Sequence, residues 1–296
     1  MISDFRHEAE YLRAEIEQKL TSCGILCRVF GRGKSHNSLQ VKLSKVNEDG
    51  VTPVYKVDQR LIQDAIGIRV VVYFSDDVDI ARSLLCESYL FDESASAIDR
   101  PKSEEFSVTR YNLIFKIPDK HIKSVEGGIA GRAIDSTFEV QLRSVLSEGW
   151  HEVEHDLRYK KKDHWVGNDD LSRSLNGIVA ALETSEWGMR KIFEDLAYRH
   201  YKAGNWDAML LLKLRMRMEG TIDETLNKIF DQDRSVGKKF LRMERLDFFL
   251  AYNKVYSTLP LTASNVVYIS NLIHGFSDKI KDVTPERFLR IQRLQG

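Results

Sequence analysis

The spacing of hydrophobic residues divides the chain into two parts. Up to about residue 165, short apolar runs typical of strands alternate with stretches whose apolar residues recur every three or four positions, as on a helix face. From Leu171 to Gly296 the helical spacing continues almost without interruption. Interleaved strands and helices indicate a sheet with helices on its faces. We therefore predict the α/β (α+β) class: a mixed β-sheet flanked by helices, followed by an all-α domain.

The boundary between the two parts is predicted in the charged segment KKKDHWVGNDD, which contains the turn residues glycine and asparagine. The expected domains are therefore residues 1–165 and residues 171–296, the second with about five helices. Packing within the second domain is the first explanation of its large apolar faces. A surplus face would also suit pairing with a second copy of the chain or with a protein regulator.

Individual elements of the first domain follow from the same patterns. A helix is predicted over residues 3–22 and ends at Cys23-Gly24. Apolar runs predict strands in GILCRVFG, IRVVVYF, YNLIFKIP and STFEVQLRS. Helices are predicted in DVDIARSLLCESYLF and VLSEGWHEVEHDLRYKKK, and a short one in VDQRLIQ.

Composition narrows the functional class only slightly. The 44 Lys and Arg residues equal the 44 Asp and Glu residues in number, so an electrostatic field that attracts a charged ligand must come from local patches. The three cysteines lack the spacing of a zinc site or a disulfide framework. Reduced thiols are expected instead, which places the protein in a cytoplasmic compartment. No run approaches 18 apolar residues, so no membrane span is expected.

The segment RGKSHNSLQVK carries the first candidate chemistry, with Arg32, Lys34, Ser38 and Lys42 directly after a predicted strand. Side chains two residues apart point to the same side of extended backbone, so Arg32 and Lys34 would act together. Two cations and a hydroxyl suit a triphosphate, although the second glycine of a P-loop is missing. Taken alone, the segment is better explained as a solvated turn with basic residues.

Two further strands carry polar residues that need a reason. Asp64 stands just before a predicted buried strand, and Arg69 lies within that strand. A carboxylate at the edge of a strand that faces a cleft would bind Mg²⁺. On FEVQLR, alternation places Glu139, Gln141 and Arg143 on one face and apolar residues on the other. That polar face is either exposed to solvent or lines a functional site.

The following helix contains the pattern H-E-x-x-H, from His151 to His155, which matches the zinc-protease motif. A zinc site also needs a third protein ligand, and the sequence suggests none. The zinc interpretation is therefore weak.

Four patterns in order resemble the synthetase domain of the RelA/SpoT family, the alarmone synthetases, with the spacings of small stand-alone or toxin-like members. They are R-x-K-x3-S-x3-K, D-x-x-G-x-R, E-x-Q-x-R and W-x3-EH-x-L-x-YK, and the resemblance covers about residues 5–165. It removes the zinc-protease interpretation, because EH-x-L-x-YK is the family's own helix signature. Such enzymes transfer pyrophosphate from ATP to the 3′-hydroxyl of a guanosine nucleotide, GDP or GTP, and make (p)ppGpp.

The resemblance implies roles for the donor half of the site. Arg32 and Arg69 would sandwich the adenine of ATP. Its phosphates would be held by Lys34, Ser38 and Lys42. The carboxylates of Asp64 and Glu139 would coordinate Mg²⁺, and Glu139 would also draw the proton from the attacking hydroxyl. This is consistent with phosphoryl transfer, which depends on positioning and charge neutralisation.

The acceptor half departs from the family pattern P-K-x-x-G-Y-x-S-L-H. Here the stretch reads RPKSEEFSVTRYNLIFKIP. Counting on from Pro101-Lys102 puts Phe106 at the Tyr position and Arg110 at the His position, whereas counting back from the strand favours Tyr111 or Arg110. The predicted acceptor contacts are Phe106, Tyr111, Gln141, Arg143 and His155.

That departure leaves two other functions open. A toxic relative would pyrophosphorylate the 3′ end of tRNA or an adenosine nucleotide, and the basic cluster of Arg158 and Lys160 to Lys162 would meet RNA phosphate. The same cluster is also explained as a solvated helix end. A catalytically silent nucleotide sensor is the second alternative, but it would have no need of Asp64 and Glu139 together.

Overall fold

The computed structural model describes residues 5–99 and 110–295 and contains a mixed β-sheet. Within those residues the sheet has five strands in the order β1-β2-β5-β4-β3. The strands β2 and β5 are parallel, and the other neighbours are antiparallel. Their bounds are β1 Cys27–Gly33, β2 Ile66–Val72, β3 Phe91–Asp99, β4 Arg110–Lys116 and β5 Thr137–Ser144.

The helices around these strands begin where the sequence offers capping groups. The side chain of Ser35 accepts a hydrogen bond from the backbone N–H of Ser38 at the start of a helix, and Ser144 forms a capping box with Ser147 at the start of another. The helices of this part are α1 Arg6–Ser22, α2 His36–Leu43, α3 Asp77–Ser88, α4 Asp119–Ile129 and α5 Val145–Val153.

Several predicted elements need correction. The segment RGKSHNSLQVK is not simply a turn, because Ser35 caps α2 and places Ser38 and Lys42 one turn apart on that helix. No helix forms in VDQRLIQ, where the backbone N–H of Lys56 donates to Arg60 instead. The sequence analysis missed β3 and α4. The helix predicted after β5 changes from α5 to a π-helical turn, Glu154–Arg158, and a 3₁₀ segment, Tyr159–Trp165.

From residue 169 to residue 295, all described, the chain is helical, as predicted, but it is divided into eight α-helices rather than about five. Short helices end here because residues such as Arg215 and Gly275 adopt the left-handed conformation. Phenylalanine side chains fill the interior, among them Phe230, Phe240 and Phe248. The bounds are α6 Asp169–Ala203, α7 Trp206–Leu214, α8 Glu224–Gln232, α9 Arg234–Arg242, α10 Arg245–Ala251, α11 Ala263–His274, α12 Asp278–Val283 and α13 Glu286–Gln295.

The chain divides into two compact units. One comprises Met1–Gln18, Cys27–Val78 and Leu85–Glu183, and the other comprises Lys19–Leu26, Asp79–Leu84 and Thr184–Gly296. The partition into domains 1–165 and 171–296 stays a prediction. None of the helices in the described part of the chain has the length and apolar character needed to cross a membrane.

Candidate active site

One face of the sheet carries polar side chains from four adjacent strands. Arg69 of β2 pairs with Gln141 of β5, and Gln141 pairs with Asn112 of β4. On β1, Phe30 pairs with Arg69, so Arg32, two residues further on, shares this face. Residues paired across strands share a face of the sheet. The register therefore aligns polar groups that are far apart in sequence above one surface.

A cleft of about 560 Å³ lies over this face. Eight residues predicted from the sequence line it: Arg32, Lys34, Asp64, Arg69, Glu139, Gln141, Arg143 and His155. This cleft thus brings together five of the seven predicted donor-side residues and three of the predicted acceptor residues. Ser38 and Lys42 are not among the residues that line it, and Lys42 lines the second cleft described below. Arg110, Asn112, His151, Glu152 and Glu154 also line this cleft.

Asp64 is held by two lysines at one end of this cleft. Lys42 Nζ lies 2.7 Å from Asp64 Oδ1 and 2.8 Å from Oδ2, while Lys34 Nζ lies 2.9 Å from Oδ2. Burial raises the pKa of Asp64, but the hydrogen bonds from Lys42 and Lys34 outweigh it and hold the pKa below its usual value. Asp64 is therefore ionised at neutral pH. Ser38, one turn before Lys42, is exposed, with its Oγ 3.0 Å from Ser35 Oγ.

The polar residues of β5 form a hydrogen-bonded row. Gln141 Nε2 donates to Glu139 Oε2 at 3.0 Å, and Arg143 Nη2 approaches Gln141 Oε1 at 3.5 Å. Burial raises the pKa of Glu139, and the negative charge of Asp64 adds to the effect. Glu139 is thus a more basic carboxylate than Asp64, which suits it to accept a proton.

Arginines dominate the other end of the cleft. Arg69 Nη1 lies 2.6 Å from Glu148 Oε1 and also contacts Glu152. His151 is only 4% exposed and lies close enough to Arg143, Arg110 and Arg69 to feel their charge. Burial and these three cations lower the pKa of His151 to about 3, so its imidazole is neutral at physiological pH.

A second cleft, of about 400 Å³, also has Asp64 in its lining. Lys42, Tyr55 and Arg60 line it, and both cations lie 5.5 Å from the centre of the Tyr55 ring. Among the residues that the structure describes, those lining both clefts are Asp64, Asn112 and Glu139. The sequence analysis missed Tyr55, Arg60 and Asn112, because no local pattern marks them.

One predicted acceptor residue in the described part of the chain, Tyr111, lines neither cleft. Tyr111 pairs with Leu142 across β4 and β5 and is 1% exposed, so its side chain lies on the core face of the sheet. Arg110, the alternative from the same count, lines the larger cleft instead. Phe106 lies outside the described residues. His155 is exposed at the cleft rim, with its Nδ1 3.0 Å from Asp156 Oδ1.

Residues 31–164 match the family model described as "Region found in RelA / SpoT proteins". The chain contains a RelA/SpoT domain. The match confirms the resemblance inferred from the four sequence patterns, and it includes all the residues of both clefts except Phe30.

Several solved structures are similar to this chain. The small alarmone synthetase 1 of Bacillus subtilis is 22% identical with a TM-score of 0.45, over 64% of this chain and 91% of that one. The same protein bound to its product pppGpp gives 20% identity and a TM-score of 0.46, over 65% and 94%. A GTP pyrophosphokinase family protein of Streptococcus pneumoniae is 19% identical with a TM-score of 0.44, over 66% of this chain and 91% of that one. No curated protein matches the sequence.

The RelA/SpoT domain contains a pair of carboxylates suited to a divalent cation. The charge of Asp64 contributes to the raised pKa of Glu139, so the two groups lie close enough to repel each other. Mg²⁺ is commonly held by one or two carboxylates together with substrate phosphates. Among the described residues, no group of three or more His, Cys, Asp or Glu side chains is arranged to hold a metal. The residues present therefore fit an ion shared with a nucleotide.

The basic cluster of the RelA/SpoT domain is paired within the protein. Arg158 Nη1 donates to Asn176 Oδ1 at 2.7 Å, and Lys160 Nζ lies 2.7 Å from Asp156 Oδ1. Lys162 Nζ lies 4.8 Å from the centre of the Tyr159 ring. These contacts favour the interpretation of the cluster as a solvated helix end.

Proposed function

We propose that the protein is an ATP-dependent pyrophosphokinase that transfers pyrophosphate from ATP to the 3′-hydroxyl of a guanosine nucleotide. The observation that carries the proposal is the meeting of two clefts at Asp64 and Glu139, each cleft lined by cations. A transfer between two nucleotides requires two binding sites that meet at the reacting atoms. A RelA/SpoT domain supports this chemistry.

ATP is assigned to the larger cleft. Arg32 and Arg69 lie diagonally on neighbouring strands of the same face, since Arg32 pairs with Gly67, two residues before Arg69. Guanidinium planes at that spacing suit a purine base. Lys34 and Lys42, with Ser38 on the same helix as Lys42, are the groups for the phosphates.

The acceptor is assigned to the smaller cleft, where Arg60 provides a cation for its phosphates. Tyr55, next to Arg60 and Lys42, provides an aromatic surface. Gln141, Arg143 and His155 line the larger cleft, so their role as acceptor contacts stays a prediction and requires the acceptor to reach that cleft as well.

The reaction then needs few groups. A bond forms between the acceptor's 3′-oxygen and the β-phosphorus of ATP, the bond from the β-phosphorus to the α–β bridging oxygen breaks, and AMP leaves. Glu139 takes the proton of the hydroxyl, which its raised pKa favours. Asp64 and Glu139 would hold Mg²⁺, which when bound neutralises charge on the transferred phosphates.

Transfer of label from ATP tests the proposal. ATP labelled at the γ-phosphate is incubated with the protein and Mg²⁺, with GDP, GTP, ATP or bulk tRNA offered separately. Label on GDP or GTP supports the proposed function, whereas label on tRNA or on a new 3′-pyrophosphorylated adenosine nucleotide, and not on GDP or GTP, identifies the toxic alternative. Binding of ATP without transfer to any acceptor would identify a nucleotide sensor and overturn the proposal.

A further inference from the structure

Asn112 lines both clefts but has no role in the proposed reaction. It lies on β4 opposite Gln141, which places it on the polar face of the sheet. With Asp64 and Glu139 it is one of the described residues that line both clefts. A group at this junction is in reach of both nucleotides.

The side-chain oxygen of Asn112 lacks a donor. Within residues 5–99 and 110–295, Oδ1 is buried and has no hydrogen-bond partner. A buried carbonyl oxygen without a donor is costly, and such groups in proteins are usually satisfied by a ligand, a water or another residue. A bound ligand at this junction that carries a hydrogen-bond donor would satisfy it.

The neighbouring protein groups do not provide that donor. The carboxylates of Asp64 and Glu139 are acceptors, and Gln141 Nε2 donates to Glu139. Lys34 and Lys42 donate to Asp64. A hydroxyl of the substrate is therefore the donor that fits the chemistry of this position.

A ribose offers two adjacent hydroxyls, and the proposed reaction uses only one of them. The 3′-hydroxyl gives its proton to Glu139 and cannot donate to Asn112 as well. We propose that Asn112 Oδ1 accepts a hydrogen bond from the acceptor's 2′-hydroxyl and so orients the neighbouring 3′-oxygen at the junction. Asn112 is thus a positioning residue that makes the enzyme selective for ribonucleotide acceptors. This inference rests on the proposed function.

The test compares GDP with 2′-deoxy-GDP as acceptors, or the corresponding adenosine pair if label moves to ATP. For the wild-type protein, removal of the 2′-hydroxyl should lower kcat/KM about 10- to 100-fold, because a site built to bind a hydroxyl rejects the analogue that lacks it. Asn112→Leu should lower kcat/KM for GDP to the same level and leave 2′-deoxy-GDP almost unaffected. Asn112→Asp keeps an acceptor oxygen and should restore part of the selectivity.

Three controls separate the possible failures. Binding of α,β-methylene-ATP, measured by calorimetry, should fall much less in Asn112→Leu than kcat/KM for GDP does, because the larger cleft keeps its cations. An equal loss with both acceptors in Asn112→Leu, or equal use of both by the wild-type protein, would overturn the role of Asn112 while the proposed function stands. A selectivity found with 2′-deoxy-ATP as donor, rather than with the acceptor, would also overturn it. If the wild-type protein transfers label to no acceptor, the proposed function itself fails, and the inference fails with it.

Discussion

Strand β5 has two faces with opposite properties. On the core face, Phe138, Val140 and Leu142 are completely buried. On the cleft face, Glu139, Gln141 and Arg143 alternate with them and are only partly buried. Burial raises the pKa of Glu139 and lowers that of Arg143, so the environment disfavours the charged form of both. The core face stabilises the fold, whereas the cleft face carries groups that the fold holds at an energetic cost.

We therefore expect stability and activity to be separable on alternate residues of this strand. A substitution on the cleft face should change turnover with little effect on folding. A substitution one residue away should do the opposite. If substitutions at neighbouring residues both reduce turnover, or both reduce stability, the two faces do not have separate roles.

Glu139→Gln is expected to have the largest effect. Loss of the proton acceptor should lower turnover by about 10³-fold or more, and removal of a buried carboxylate should leave the melting temperature unchanged or slightly raised. Label transfer and thermal unfolding measure the two quantities on the same sample. Near-normal turnover would remove Glu139 from the mechanism.

Leu142→Ala provides the contrast on the core face of the same strand. Truncation of a fully buried leucine should lower the free energy of unfolding by about 2–5 kcal/mol. At a temperature where the variant is still folded, turnover per folded molecule should stay within a few-fold of the wild-type value. Urea denaturation gives the first quantity. A loss of turnover comparable to that of Glu139→Gln in the folded variant would contradict the separation of the two faces.

The two faces of β5 were predictable from the sequence, but those of β4 were not. In TFEVQLRS the polar and apolar residues alternate, so the pattern itself fixes which side chains face the core. In RYNLIFK the apolar residues Leu113, Ile114 and Phe115 are consecutive, so the pattern does not show which side chains face the core and which face the cleft. The choice between Tyr111 and Arg110 therefore depended on the pairing with β5, which no local pattern contains.

The lysine pair shows a second limit of sequence analysis. Lys34 and Lys42 were predicted to hold phosphate, and Asp64 to hold a metal, because each lies in its own motif. Their direct contact results from the position of α2 beside the end of β2, which is tertiary structure. The α2 helix itself was missed because its eight residues are mostly polar.

Lys34→Ala should have a smaller effect than either substitution in β5. Loss of one charge-assisted contact to phosphate should weaken ATP binding by about 1–3 kcal/mol. It should appear mainly in the KM for ATP or in the affinity for α,β-methylene-ATP. The matched control is Lys45→Ala, since Lys45 is exposed and lines neither cleft. Equal effects of the two substitutions would contradict a specific phosphate contact at Lys34.

His151 should give the smallest effect, and it appears only on acidification. An unfolded histidine has a pKa of about 6.5, whereas folding lowers the pKa of His151 to about 3. The unfolded state therefore binds the proton first, and stability is lost as the pH falls from about 6.5 towards 3. Between pH 6.5 and 5, where carboxylates contribute little, His151→Leu should reduce this loss by roughly 1 kcal/mol after allowance for solvent screening at the cleft.

Urea denaturation at several pH values measures that slope, and the same substitution at exposed His36 is its control. His36→Leu should leave the slope unchanged. Arg143, Arg110 and Arg69 all oppose protonation of His151. Arg110→Gln should therefore leave the slope above pH 5 unchanged and reduce the loss of stability only as the pH approaches 3, because one of the three cations that lower the pKa of His151 is gone. If His151→Leu unfolds with the wild-type pH dependence, the imidazole is not held neutral by this cleft, and the cleft face contributes less to acid sensitivity than its charges suggest.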